Sequence, residues 1–434
     1  MTLVATAPAL WRSEKTVSVS GSLHPQKASP VLEGFVAPPM AAQLSFRPDA
    51  LAASIARTVT LRSAPDPMLV QMARAAMVQV EYLIKDGPVF EVSPFITALA
   101  DAERSGFAGR VGAGVTDLLM NSLGYAWRDN AVCLSGSCDP HADFIYGDGP
   151  VAKHGVVLTE AHGSFAQSVS ESRIMGEARR KYLRQVKPYI ASRCLHGDVI
   201  HGYSVAFGSN PSSLETYLHV AETRISKSKG SPALPAAQPV PGGTGIVPTS
   251  LALASHRSNF LLMGATQVVA WIDWLRGAAD RPADDSETTF FSFEISGRRF
   301  LAAAEYFLPY YRSRFWPDEL DFSQTLLHWS EMDRMLSRRQ RGLANIFAME
   351  MSAGKAFLRA LSGIIPGGRD QLPAALDLPS IEPLGLSLEV DGAIHEEGVR
   401  YPVALFRDGL ALISRLPRSP LVSSLHWSPE DGVD

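Results

Sequence analysis

The chain of 434 residues is 46% hydrophobic and 19% charged, the make-up of an ordinary globular protein with room for two or three domains. Its 40 basic and 44 acidic residues leave a formal charge of −4, which excludes wholesale coating of nucleic acid and restricts any such contact to a local patch. Three cysteines exclude a disulfide framework, and Met1 to Trp11 carry no signal-peptide pattern, so a cytoplasmic location is expected.

Taken in chain order, residues 1–48 scatter Pro, Ser and Ala with little periodicity and predict an extended or disordered arm. Met68, Leu69, Met72, Ala76, Val80 and Leu83 recur at helical spacing and predict a helix over 66–85, stopped by Asp86-Gly87-Pro88. Further helices are predicted over about 94–104 and 107–125. Strands follow at 131–135, 142–146 and 155–161, then a helix at 171–192, a strand at 199–207 and a short one at 216–222. That order predicts an α/β sandwich, a mixed sheet with flanking helices.

Pro, Ala, Gly and Ser dominate 226–248, a linker between a first unit at 49–225 and a second at 249–434. The second unit is expected to be an accessory α+β region that protein partners could use. It opens with a long helix over 249–278 and a hairpin turning at Ser296-Gly297. Helical patterning then runs from 319 to 362 around Arg334, Arg338, Arg339 and Arg341. Strands over 383–415 turn at Asp391-Gly392 and Asp408-Gly409. The most apolar helix, Ser258 to Leu275, contains Gln267 and Asp273 and reads as buried, so no membrane contact is expected.

Two of the strands each deliver an acid, Asp143 and Glu160. The connecting Gly147-Asp148-Gly149-Pro150 favours a hairpin-like return that would bring the two together. Paired carboxylates repel unless a cation sits between them, and Mg2+ or Mn2+ prefers such hard oxygen ligands. The plainer alternative is two solvated strand-end acids.

Over residues of about 100–225 the motif order resembles the PD-(D/E)XK nuclease superfamily, the restriction-endonuclease-like fold. Asp139-Pro140-His141-Ala142-Asp143 corresponds to its first element and Glu160-Ala161-His162 to its second. Phe107 to Met120 looks like its first core helix, and Gln185-Val186-Lys187-Pro188-Tyr189 is similar to the Gln-x-x-x-Tyr element of the RecB-like branch. The resemblance implies a restriction-endonuclease-like α/β/α core. It also implies one or two Mg2+ (or Mn2+) ions held by Asp143, Glu160 and the Ala161 carbonyl. The implied reaction is phosphodiester hydrolysis, of DNA in preference to RNA, with Asp143, Glu160, His162 and Gln185 as the catalytic set.

The chain departs from that pattern twice: His162 stands where the family has Lys, and Ala113 where its first helix often has Glu. His162 would serve as a base or a metal ligand, or is a degenerate position; adjacent carboxylates should raise its pKa and a bound cation lower it. Lys153, Lys181, Arg184 and Lys187 are other sources of the missing cation. Asp117, one helical turn past Ala113, is a source of a carboxylate, although an Asp on a helix face is more simply solvated.

The helix at 171–193 carries seven basic residues against Glu171 and Glu177, a stripe suited to phosphate. Arg180, Lys181, Arg184, Lys187 and Tyr189 are its expected nucleic-acid contacts; the bland reading is a solvated helix face. Two rival functions stay open. One is a catalytically degenerate nuclease-fold protein acting as a nucleic-acid-binding or scaffold subunit. The other is a zinc-stabilised module on Cys133, Cys138 and His141 with Cys194 or His196, against which stands the commoner buried thiol. Nothing in the sequence sets the oligomeric state.

Overall fold

The computed structural model describes residues 12–32, 35–134, 140–147, 155–213, 215–225, 244–283, 287–295, 297–303, 346–384, 393–396, 399–413 and 422–433. Its first half contains β1 (Lys15–Gln26), β2 (Gln43–Phe46), α1 (Pro48–Val59), α2 (Asp66–Leu83) and α3 (Asp101–Ser122). It continues with β3 (Trp127–Asn130), β4 (Phe144–Gly147), β5 (Val156–Ser164), α4 (Glu171–Lys181), β6 (Arg193–Cys194), β7 (Gly197–Ser209) and β8 (Thr216–Ile225). These strands form a mixed sheet in the order β2-β1-β8-β7-β5-β4-β3, with β6 paired to β7. β3, β4 and β5 are antiparallel neighbours, β5 and β7 run parallel, and β1 runs parallel to β8. The protein is thus an α/β fold built on a mixed sheet.

Helices cover both faces of this sheet, and small residues set how closely. A Cβ on Gly163 would stand 1.8 Å from the Ala108 carbonyl oxygen, and one on Gly112 only 2.6 Å from the Gly163 nitrogen, so α3 lies directly on β5. On the opposite face, Gly202 meets Val186 and Ile190, and Gly208 meets Ile174. Alternation along β5 therefore divides its side chains. Leu158, Glu160 and His162 share the α4 side; Thr159, Ala161 and Gly163 share the α3 side.

The second half contains β9 (Thr244–Pro248), α5 (Thr249–Met263), α6 (Thr266–Leu275), β10 (Thr288–Ile295), β11 (Arg298–Ala303) and β12 (Ile346–Glu350). After these come α7 (Met351–Ile364), β13 (Ala375–Pro379), β14 (Ala393–Glu396), β15 (Val399–Leu405), β16 (Leu410–Ile413), β17 (Val422–Ser428) and β18 (Gly432–Val433). A second, antiparallel sheet has the order β14-β15-β16-β12-β11-β10-β17-β18, and β9 pairs with β13. One buried apolar cluster runs from Val17, Leu118 and Leu158 through Leu253 and Phe260 to Phe357 and Trp427, so the two halves share a core.

A knot of charge is buried inside that shared core. Asp408, in the β15–β16 turn, accepts from Arg57 at 3.0 Å, Arg128 at 2.7 Å and Asn259 at 2.9 Å. Asp117 lies 3.2 Å from Arg57 and accepts from Ser54 at 3.1 Å and Tyr146 at 3.0 Å. The Arg57 guanidinium also covers the Phe406 ring at 3.7 Å. Burial alone would raise the Asp408 pKa, but Arg57 and Arg128 hold it down at about 2. Nearby, burial pushes the His256 imidazole down to about 3, and the neutral ring stacks on Phe357 at 3.8 Å.

Several sequence expectations change. Within the expected arm, Lys15–Gln26 is an ordered strand: its parallel partner β8 lies far away in the chain, and a local reading of Ser, Gly and Pro cannot see it. The strand expected at 131–135 is instead Trp127–Asn130, followed by a 3-10 turn. Arg128 and Asp129 disguise that strand as polar, and both are buried. The helix expected over 249–278 breaks at Gly264, left-handed at φ +79, which ends α5 before α6 begins. Asp117 is not solvated but is consumed by the buried knot. The arginines at 334–341, the turn at Asp391-Gly392 and most of the 226–248 linker lie outside the described residues.

Replacing Asp408 with Ala strands two buried guanidinium groups, and the expected cost is about 3–5 kcal/mol. Urea unfolding followed by tryptophan fluorescence checks it; an unchanged midpoint would mean that the knot does not join the halves.

Candidate active site

The β4–β5 ladder pairs Phe144 with Thr159, so one further step of the same register sets Asp143 opposite Glu160. Asp143 is exposed and anchored by the Ala161 backbone N–H, which donates to its Oδ2 at 2.9 Å. Glu160 is fully buried, and only its Oε1 is satisfied, by the Lys181 ammonium at 2.5 Å. Its Oε2 is buried with no hydrogen-bond donor beside it among the described residues. Burial and then the Asp143 charge push the Glu160 pKa up to about 8, against the pull of Lys181. Two acids and one lysine therefore meet where the start of β4 lies against the middle of β5.

Lys181 reaches this cluster because α4 lies over the face of β5 that carries Glu160 and His162. A lysine at position 162 would project from that same face two residues along the strand. The chain places a cation there from the helix instead. His162 is half-buried, and its pKa falls: burial acts first, the Lys181 charge second, and these outweigh Glu177 and Asp143. The carboxylates do pull it upward as expected, but the net shift is downward, and the imidazole is neutral near pH 7.

The segment that follows α4 continues as a π turn over Tyr182–Val186 and a 3-10 turn over Lys187–Tyr189. Gln185 donates through Nε2 to the His141 carbonyl at 2.9 Å, and the Tyr189 hydroxyl donates to the Pro140 carbonyl at 3.2 Å. Both side chains thus tether the segment that leads into Asp143. Arg180 pairs with Glu177 at 2.5 Å on the helix surface. Arg184 is exposed and Lys187 half-buried.

Ala113 is buried on α3, and no other acid from that helix joins Asp143 and Glu160. Among the described residues no three His, Cys, Asp or Glu side chains converge as a metal-binding group. Lys153, Asp139, Cys138 and the Cys133 side chain lie outside the described residues. Of the remaining zinc candidates, His196 faces Asp129 at 3.2 Å and Ser250 at 2.8 Å, while His141 bonds its neighbour's carbonyl at 2.7 Å. No helix among the described residues is long and apolar enough to cross a membrane.

Compared with known proteins, the chain matches no family model, and no curated protein or solved structure matches it.

The raised Glu160 pKa has a consequence for stability with a definite sign. The folded carboxyl titrates at about 8 against an ordinary 4.5, so the folded state keeps a proton that the unfolded chain gives up. Its contribution is full below the unfolded value and is lost as pH rises through the folded one. In EDTA, the melting temperature should fall between about pH 5 and pH 9, and Glu160→Gln should flatten that fall. Parallel pH profiles for the two proteins would overturn the assignment.

Proposed function

We propose that the protein is a metal-dependent nuclease of the PD-(D/E)XK kind, hydrolysing phosphodiesters in DNA in preference to RNA. One observation carries the reading: the buried Glu160 carboxyl, in the middle of β5 and hydrogen-bonded to Lys181, lies beside Asp143 at the start of β4. The order α3, β3, β4, β5, α4, β7, with β5 and β7 parallel, supports the restriction-endonuclease-like core that the motifs imply.

Asp143, Glu160 and the Ala161 carbonyl would hold Mg2+ or Mn2+. The buried Glu160 Oε2, with no donor beside it among the described residues, in an all-oxygen donor set fits such a hard cation. When bound, the ion supplies acidification of water and neutralisation of phosphate charge. Lys181 takes the place of the family's strand lysine, orienting water and offsetting charge that builds on the phosphate. Neutral His162 accepts a proton from that water. Gln185 and Tyr189 hold the segment preceding Asp143, and Arg180, Arg184 and Lys187 offer phosphate contacts along the helix. A cytoplasmic location and protein partners for the second half belong to the same proposal.

Cleavage of plasmid and labelled oligonucleotides with Mg2+ or Mn2+ should vanish in Asp143→Ala and Glu160→Ala. Lys181→Ala should lose about 100-fold or more. Adding His162→Lys to Lys181→Ala should restore part of that loss, because both lysines address one face of β5. Full cleavage by the two acid variants would exclude this site. Ala113, which removes a third acid, favours the second reading, a non-catalytic nucleic-acid-binding or scaffold subunit. Calorimetric titration that detects no divalent binding by the unaltered chain would select it.

A further inference from the structure

The second half carries a cleft of about 630 Å³ between the β10–β11 turn and α7, lined by Arg298, Arg299, Lys355 and Arg359 together with Glu350 and Ser352. Four cations face one carboxylate there, and that carboxylate is already committed. Glu350 caps α7, accepting from the Ser352 N–H at 2.8 Å and the Ala353 N–H at 3.1 Å as well as from the Ser352 hydroxyl. Arg299 approaches Glu294 only at 3.9 Å on the surface, a pairing of little worth. Among the described residues Arg298, Lys355 and Arg359 make no ion pair. Lys355 and Arg359 stand one helical turn apart on α7, where like charges repel. Arg298 adds an unmet demand: its Nη1 is buried without an acceptor among the described residues.

A concave surface holding uncompensated guanidinium groups concentrates anions, and arginine's planar fork matches phosphate oxygens in pairs. We infer that this cleft is a binding site for a ligand carrying two or more phosphate groups, with Arg298 and Lys355 as its principal contacts. Two sources offer that chemistry, a free polyphosphate or nucleotide and a nucleic-acid backbone. Among the described residues no aromatic ring lines the cleft, so these residues would hold phosphate without stacking on a base. It is independent of the proposed nuclease centre, which is made by other residues on the first sheet.

Calorimetric titration with tripolyphosphate in EDTA at low salt tests the inference. The unaltered chain should bind, and Arg298→Gln combined with Lys355→Gln should weaken binding about tenfold or more. Arg359→Glu, at an exposed position and so compatible with folding, should weaken it as well. Lys181→Ala should leave it unchanged, which separates this site from the other. ATP and GTP should bind alike. Displacement of tripolyphosphate by a single-stranded oligonucleotide would identify a nucleic-acid backbone as the source, and failure to displace would identify a free polyphosphate. No binding by the unaltered chain, or equal binding by both variants, would overturn the site.

Discussion

The constraint on which the remaining structure rests is the ion cluster formed by Arg57, Arg128, Asp117 and Asp408, all buried. Its members come from α1, β3, α3 and the β15–β16 turn, so one set of charges reaches across both sheets. A buried charge without a partner is severely unfavourable, which leaves this arrangement few alternatives of comparable energy. The apolar core around it would tolerate modest sliding; oriented hydrogen bonds between guanidinium and carboxylate do not. The cluster thereby fixes α3 and β3, and with them the sheet edge that carries Asp143.

The candidate site inverts that economy of charge. In the cluster every carboxylate has a cation, whereas Glu160 has one satisfied oxygen and one bare oxygen beside a second acid. Such imbalance belongs more often to working sites than to scaffolding. The surrounding supports are rigid: α3 pressed on β5 at Gly163, and Gln185 and Tyr189 bonded to the backbone before Asp143. The site is held firmly while its own charges stay unbalanced. The α7 cleft shows the opposite sign of the same imbalance, cations without enough acid.

Much of the first half was legible from local pattern. Apolar runs marked β4, β5 and β7, and the spacing of Asp143 and Glu160 around a turn anticipated their opposition. The local pattern located α2 closely and the start of α4, while the rest of the helix expected to 192 is a π turn and a 3-10 turn. Where charged residues lie inside the core, the pattern misled: Arg128 hid β3, and Asp117 read as a surface acid. The Gln185 motif was visible, but its bond to the His141 backbone carbonyl was not.

Composition and periodicity by themselves determined the α/β class and the two acids carried by or beside neighbouring strands. These depend on residues near one another in the chain, whose alternation records which face is buried. Only the tertiary structure decided that Lys181 supplies the cation beside Glu160, that β1 joins the sheet, and that Asp408 closes a cluster with Arg57 and Arg128. Each of those is a meeting of distant segments. A charge or an unpaired strand edge shows what kind of partner it needs, but folding alone selects which one arrives.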